Sequence, residues 1–113
     1  MERIEIEEAA AIKLERTRSG SEVIYFFYDT RKTGCSTDGV IRLFLVEEKD
    51  VPSTSLHVSS ERIFGVYADR RLAWRTESFM KLKLESDGET YRLYSDSEVY
   101  EIHLRLKRPE FEV

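Results

Sequence analysis

The chain has 113 residues, 41% of them hydrophobic and 35% charged, with a formal net charge of -4 and a pI near 5.3. This is the profile of one soluble domain with a heavily charged surface, and its negative balance argues against a general nucleic-acid binder. The longest apolar run, Val23 to Tyr28, is too short to cross a bilayer, which takes about 20 residues. The charged start, Met1 to Glu5, lacks a signal peptide's apolar segment. The single cysteine, Cys35, excludes an internal disulfide and suits a reducing compartment. A single cytoplasmic domain over residues 1–113 is expected, with no nucleic-acid and no membrane partner.

In chain order, Ile4 and Ile6 alternate with Glu5 as in a short strand. A helix is predicted from about Glu7 to Arg18. Ala9, Ala10, Ala11 and Leu14 favour it, and acidic residues lie at its start with basic ones at its end. No capping side chain stands at its N-terminus, and Gly20 is the expected stop. The pattern then turns to β. Val23–Tyr28 and Val40–Val46 are apolar on both faces, the mark of strands buried from both sides, and they should form the centre of the fold. Leu56 and Val58 alternate with polar neighbours. Residues 62–67 are a weaker strand candidate, interrupted by Gly65, and Ala68 to Glu77 reads equally as a helical turn or a strand.

The last third alternates clearly. Met80, Leu82 and Leu84 lead into Asp87-Gly88, a two-residue hairpin signal that predicts a type I′ turn, with Tyr91 and Leu93 on the return strand. Tyr100, Ile102, Leu104 and Leu106 then alternate with Glu101, His103, Arg105 and Lys107 in a final strand with one face on the core. The whole reads as a mainly β, sandwich-like fold with one short N-terminal helix.

Between the two apolar strands lies a polar, glycine-bearing stretch, Tyr28 to Val40, that contains Cys35. A loop held between rigid strands is where a reactive or ligand side chain is best presented. Arg31 and Lys32 would lower the thiol pKa if they approach it in space. Its polar neighbours Thr33, Ser36, Thr37 and Asp38 predict solvent exposure for Cys35, since burying them all is costly. Other chemistry is thinly supported. His57 and His103 show no zinc-ligand spacing with Cys35 and fall on the polar phase of their strands. A cysteine protease would need a base beside Cys35 and a partner orienting that base. Gly34 and Gly39 lack the spacing of a phosphate-binding loop. The basic residues Arg70, Arg71, Arg75, Lys81 and Lys83 read as a solvated face. Trp74, Tyr67 and Phe79 are expected in the core, with an exposed interaction patch as the alternative.

The order of elements and this loop resemble the HesB-like family, which includes the A-type iron–sulfur carriers, and within it a short YqkB-like branch. The loop of that branch reads approximately Tyr-Asp-Thr-Glu-Gly-Cys-Gly-Cys, three variable residues, then Gly-Val. This chain matches without a gap at Tyr28, Asp29, Thr30, Gly34, Cys35, Gly39 and Val40. The N-terminal strand and helix, with Ala9, Ala10, Lys13, Leu14 and Gly20, and the stretch Tyr91 to Ser95 are also similar. The departures are equally specific. Thr33 stands at the first cysteine of the loop, Arg31 and Lys32 replace the acidic residue and glycine, and no C-terminal cysteine pair exists.

The resemblance implies a HesB-type fold of mixed sheets and a non-enzymatic role related to iron–sulfur cluster assembly or carriage, accessory or degenerate. Cys35 is its only available thiolate ligand, in a loop framed by Asp29, Gly34, Asp38 and Gly39. It also implies iron or an iron–sulfur cluster shared across a homodimer, and assembly or acceptor proteins as partners. Two readings of other classes stand beside it: a module that keeps the fold without metal chemistry, and a thiol-redox protein using Cys35.

Overall fold

The computed structural model describes residues 1–30, 39–61 and 65–109. Among them are ten regular elements: strand β1 (Arg3–Ile6), helix α1 (Glu8–Thr17), and strands β2 (Glu22–Asp29), β3 (Val40–Glu47), β4 (Leu56–Val58), β5 (Val66–Ala68), β6 (Phe79–Leu84), β7 (Tyr91–Tyr94), β8 (Val99–Leu104) and β9 (Leu106–Lys107). They form two sheets, one of four strands in the order β1-β6-β7-β8 and one of five in the order β4-β5-β2-β3-β9. Both sheets are mixed: β1 runs parallel to β6, and β2 pairs antiparallel with β3 but parallel with β5. The mainly β, two-sheet fold expected from the sequence is the one observed.

Strand β2 explains its own composition. Ile24, Phe26 and Tyr28 enter the main core, shared with Ile4, Ile6, Leu14, Met80, Leu82, Tyr91 and Leu93 from the first sheet and the helix. Val23 and Tyr25 point the other way, into a smaller cluster with Val46, Phe44, Val51 and Tyr67. Period-two alternation sends consecutive side chains to opposite faces, so a strand covered on both sides must be apolar at nearly every position. Helix α1 buries Ala10, Ala11 and Leu14 and is tied to the first sheet where the Glu7 N–H donates to the Leu82 carbonyl at 2.9 Å. It begins without a side-chain cap, as the sequence implies, and ends when Arg18 becomes extended. Gly20 is not the stop itself. Its positive φ of 57° serves the following turn, closed by the Glu22 N–H on the Ser19 carbonyl at 3.1 Å.

Two local expectations are corrected. The β6–β7 hairpin exists, with Leu82 opposite Leu93 and Leu84 opposite Tyr91, but its turn is longer than two residues. The Glu85 N–H still bonds the Thr90 carbonyl, and the Gly88 N–H closes a turn on the Glu85 carbonyl. A type I′ turn needs positive φ at both central residues, and only Gly88, at 72°, has it. Asp87 instead folds its carboxylate back onto the N–H groups of Glu89 and Thr90 and the Thr90 hydroxyl. Those bonds hold its carboxyl down to about 2. This Asx-type closure suits a longer loop.

The final strand is also not one element. It breaks at Arg105, and β9 crosses to the other sheet beside β3. Along β8 the pairing with β7 shifts register between Tyr91 and Leu93 and again between Leu93 and Tyr94. Each shift inserts a residue and inverts the side-chain phase, which turns Ile102 outward and leaves it exposed.

The C-terminal stretch is pinned to the start of β2. The Arg108 guanidinium bonds both Glu22 carboxylate oxygens, at 2.6 and 2.8 Å, and the Thr17 carbonyl at 2.7 Å. The Ser19 N–H adds a bond to Glu22 at 2.8 Å. Hydrogen bonding to Arg108, against the cost of burial and helped by Ser19, lowers the Glu22 carboxyl to about 2. A carboxyl depressed on folding stabilises the native state above its unfolded value and loses that contribution as pH falls through the folded one. The difference in melting temperature between wild type and Glu22→Gln should therefore be largest at neutral pH and shrink as pH falls from about 4.5 toward about 2. Thermal melts over that range check it, and a constant difference would show that Glu22 does not titrate in this window.

Candidate functional site

The segment that carries Cys35 joins β2 to β3, and the two strands meet at the pair Asp29–Val40, the neck of that connection. At its centre the Gly39 N–H donates to the Tyr28 hydroxyl at 2.6 Å. A Cβ on Gly39 would sit 2.7 Å from the Tyr28 ring and 2.8 Å from the Asp29 carbonyl, closer than carbon atoms pack. Glycine is therefore demanded here by close approach of ring and backbone, which gives the Tyr28…Gly39 spacing a physical meaning.

On one side, β5 stops too soon to complete the ladder beside β2. Its last pair is Phe26 with Ala68, followed by one more bond from the Asp69 N–H to the Phe26 carbonyl at 2.7 Å. Tyr28 then lacks a backbone neighbour, and side chains replace it. The Asp69 carboxylate accepts from the Tyr28 N–H at 3.2 Å, and the Arg71 guanidinium donates to the Tyr28 carbonyl at 2.6 Å. Asp69 and Arg71 are locked together through the Arg71 N–H at 3.0 Å and its side chain at 3.1 and 2.7 Å. Burial by itself would push the Asp69 carboxyl up. The bonds from the Arg71 side chain, the Arg71 N–H and the Tyr28 N–H outweigh it and hold the carboxyl below its ordinary value. It stays a carboxylate, the form that can accept all of them.

On the other side, β9 covers β3 only at Leu43 and Phe44. Nearer the loop, the Glu101 carboxylate accepts the Ile41 N–H at 2.9 Å and so covers part of an otherwise open strand edge. A cleft of about 290 Å³ lies along this edge, lined by Val40, Ile41, Arg42, Glu101, Ile102 and His103 among others. Asp29 is buried and reaches the Arg42 guanidinium at 3.4 Å. The guanidinium of Arg75 lies 4.6 Å from the centre of the Tyr28 ring and that of Arg71 5.2 Å. The neck thus carries two arginines over one aromatic ring, Arg71 and Arg75, and a third, Arg42, paired with Asp29.

Of the residues marked out by sequence, Asp29 and Gly39 are in place at the neck. Gly34, Cys35 and Asp38, with the expected exposure of Cys35, lie outside the described residues. His57 and His103 are exposed, as expected, and sit on different sheets; His57 stacks on Tyr67. No cluster of three or more metal-capable side chains occurs among the described residues. The sequence reading missed Asp69, Arg71 and Glu101, which act on the neck from 41, 43 and 60 residues away; no local pattern announces them. It also misjudged Trp74. That side chain was expected in the core and is 77% exposed, because Leu72 fills the one inward position of the 3-10 turn at Arg70–Ala73.

The chain matches the family described as iron-sulphur cluster biosynthesis over residues 2–108. The chain belongs to that family. Two crystal structures have the same fold. One is of a protein from Lactobacillus salivarius provisionally assigned to Fe-S biosynthesis, reported as a novel fold. It is 18% identical, with a TM-score of 0.73 over 94% of this chain and 96% of that one. The other is a protein from Lactobacillus acidophilus with the same provisional assignment, 12% identical, with a TM-score of 0.73 over 94% of this chain and 89% of that one. No curated protein matches the sequence. No helix among the described residues is long and apolar enough to cross a membrane.

Gly39→Ala tests the neck. The new methyl must displace the Tyr28 ring or the backbone and break the Gly39–Tyr28 bond, at a cost of about 1–3 kcal/mol, as overpacking of a tight site usually does. Tyr28→Phe removes only the hydroxyl and should cost about 1 kcal/mol. Denaturant unfolding measures both, and a Gly39→Ala variant as stable as wild type would show that the neck is not tightly packed.

Proposed function

We propose that this chain is an accessory, non-enzymatic member of its family that takes iron or an iron–sulfur cluster as cargo, with Cys35 as its one thiolate contact. The observation that carries this reading is the match over residues 2–108 combined with one cysteine in 113 residues. Iron–sulfur clusters are usually held by four cysteine thiolates, because soft sulfur suits the iron–sulfide core. One chain supplies one. Two chains in a homodimer supply two, and an assembly or acceptor protein, or a small thiol, must supply the rest. A protein with so few ligands holds its cargo on the way to another protein.

The neck supports this reading physically. Its hydrogen bonds fix both ends of the segment that carries Cys35. A second reading, a protein-interaction module without metal chemistry, is favoured by the exposed indole of Trp74.

Anaerobic reconstitution with ferrous iron and sulfide tests the first reading. Wild type should take up both and acquire cluster absorbance, with sedimentation showing two chains per cluster. Cys35→Ser should take up neither, while its thermal melt stays close to wild type. Equal iron and sulfide uptake by the two proteins would end the carrier reading.

A further inference from the structure

Trp74 is the only tryptophan in the chain, and its position is unusual. Burying an indole is among the largest apolar gains a side chain offers, yet this one stands 77% exposed. The segment that presents it is not a loose loop. Asp69 caps the turn by accepting the Arg71 N–H, and Leu72 is fully buried. The N–H groups of Arg75 and Thr76 both return to the Leu72 carbonyl at 3.2 Å, and the Thr76 hydroxyl joins them at 2.8 Å. Trp74 is therefore held out on a fixed backbone, flanked by the exposed Arg70, Arg71 and Arg75.

We infer that Trp74, Arg70 and Arg75 form a docking surface for an acidic segment of a partner protein, one whose carboxylates meet the arginines while an apolar side chain packs on the indole. Tryptophan and arginine are the residue types that most often dominate protein interfaces, and an anchor held rigid before binding loses little freedom when it binds. The charge decides the partner. Three guanidiniums and a single carboxylate, Asp69, lie within residues 69–75 of a chain whose net charge is -4, so the patch is positive on a negative protein. Arg71 is already engaged with Asp69 and the Tyr28 carbonyl; among the described residues Arg70 and Arg75 pair with no carboxylate, so both can face those of a partner, where guanidinium geometry allows paired hydrogen bonds. A nucleic acid would gain few phosphate contacts here and would meet repulsion from the rest of the chain.

The surface adjoins the neck. Arg75 lies over the Tyr28 ring, and the Tyr28 hydroxyl holds Gly39. A partner that engages Arg75, the chain neighbour of Trp74, therefore stands beside the neck. The inference rests on the cargo reading for its purpose, a partner positioned to give or receive, but its test does not depend on iron.

The probe is a phage-displayed library of random dodecapeptides, selected on the full chain without iron. Selected peptides should be rich in Asp and Glu around an apolar residue. They should move the emission of Trp74 to the blue, and their binding should weaken with salt. By calorimetry, Trp74→Ala and Arg70→Glu should each weaken them by roughly tenfold or more, as loss of an interface anchor does. Both side chains are exposed, so the variants should melt like wild type; if charge reversal disturbs folding, Arg70→Ala carries the same reading. The inference is overturned if no acidic sequences are selected, or if Trp74→Ala binds them equally well. It is also overturned if Trp74 emission moves to the blue with protein concentration alone, which would make a second copy the occupant, or if a single-stranded dodecamer of DNA binds more tightly than the peptides. Cys35→Ser should bind the peptides as wild type does. Loss of iron uptake with intact peptide binding leaves this surface standing, and the reverse outcome removes it while sparing the cargo reading.

Discussion

Strand β2 is buried on both faces, and the rest of the structure answers to that. A strand with no water on either side must satisfy every backbone N–H and carbonyl inside the protein. Along most of its length β3 and β5 do this. At Tyr28 the β5 ladder has ended, and the backbone groups of that residue would be stranded at the edge of the core. The Asp69 carboxylate and Arg71 guanidinium take over as a side-chain continuation of the missing strand. Without them, β2 would have to stop earlier, and the loop that follows it would start from a different place.

The same constraint fixes the loop's far end. Gly39 lies against the Tyr28 ring because no side chain intervenes, and its N–H closes on the Tyr28 hydroxyl. Glu101 holds Ile41 from the side where β9 fails to reach. The segment between is thus mounted on a frame tied down from both sheets. Under the proposed reading such a frame suits a residue that is to be presented, because it holds both ends of the segment rigidly.

The exposed Trp74 belongs to the same frame. Asp69 caps the turn that presents the indole and, through its other oxygen, accepts from Tyr28. One buried carboxylate therefore couples the end of β2, the start of the turn and the orientation of Arg71. A change at Asp69 would be felt at the neck and at the tryptophan together, so substitutions there cannot separate the two surfaces, whereas Trp74 and Arg70 can be changed without touching the neck.

The sequence by itself determined the local, periodic features. Double-faced apolarity marked β2 and β3 as central, alternation marked β6 and β7, helix formers marked α1, and the Tyr28-to-Val40 pattern located the Cys35 loop and carried the family resemblance. Strand and helix periodicity is decided by neighbours a few residues apart, which a linear pattern records; Asp29 and Gly39 were marked through the resemblance, and why glycine is needed at 39 is seen only in its contact with the Tyr28 ring. Only the tertiary structure decided the rest. The role of Asp69, Arg71 and Glu101 depends on where two ladders run out, which is a property of strand lengths in space. The phase of Ile102 depends on register shifts against β7, and the turn at Asp87-Gly88 on where the Asp87 carboxylate finds its donors. The exposure of Trp74 follows from Leu72 occupying the single inward position available. Contacts between residues far apart in the chain are set by packing and backbone satisfaction, and neither leaves a trace in local periodicity.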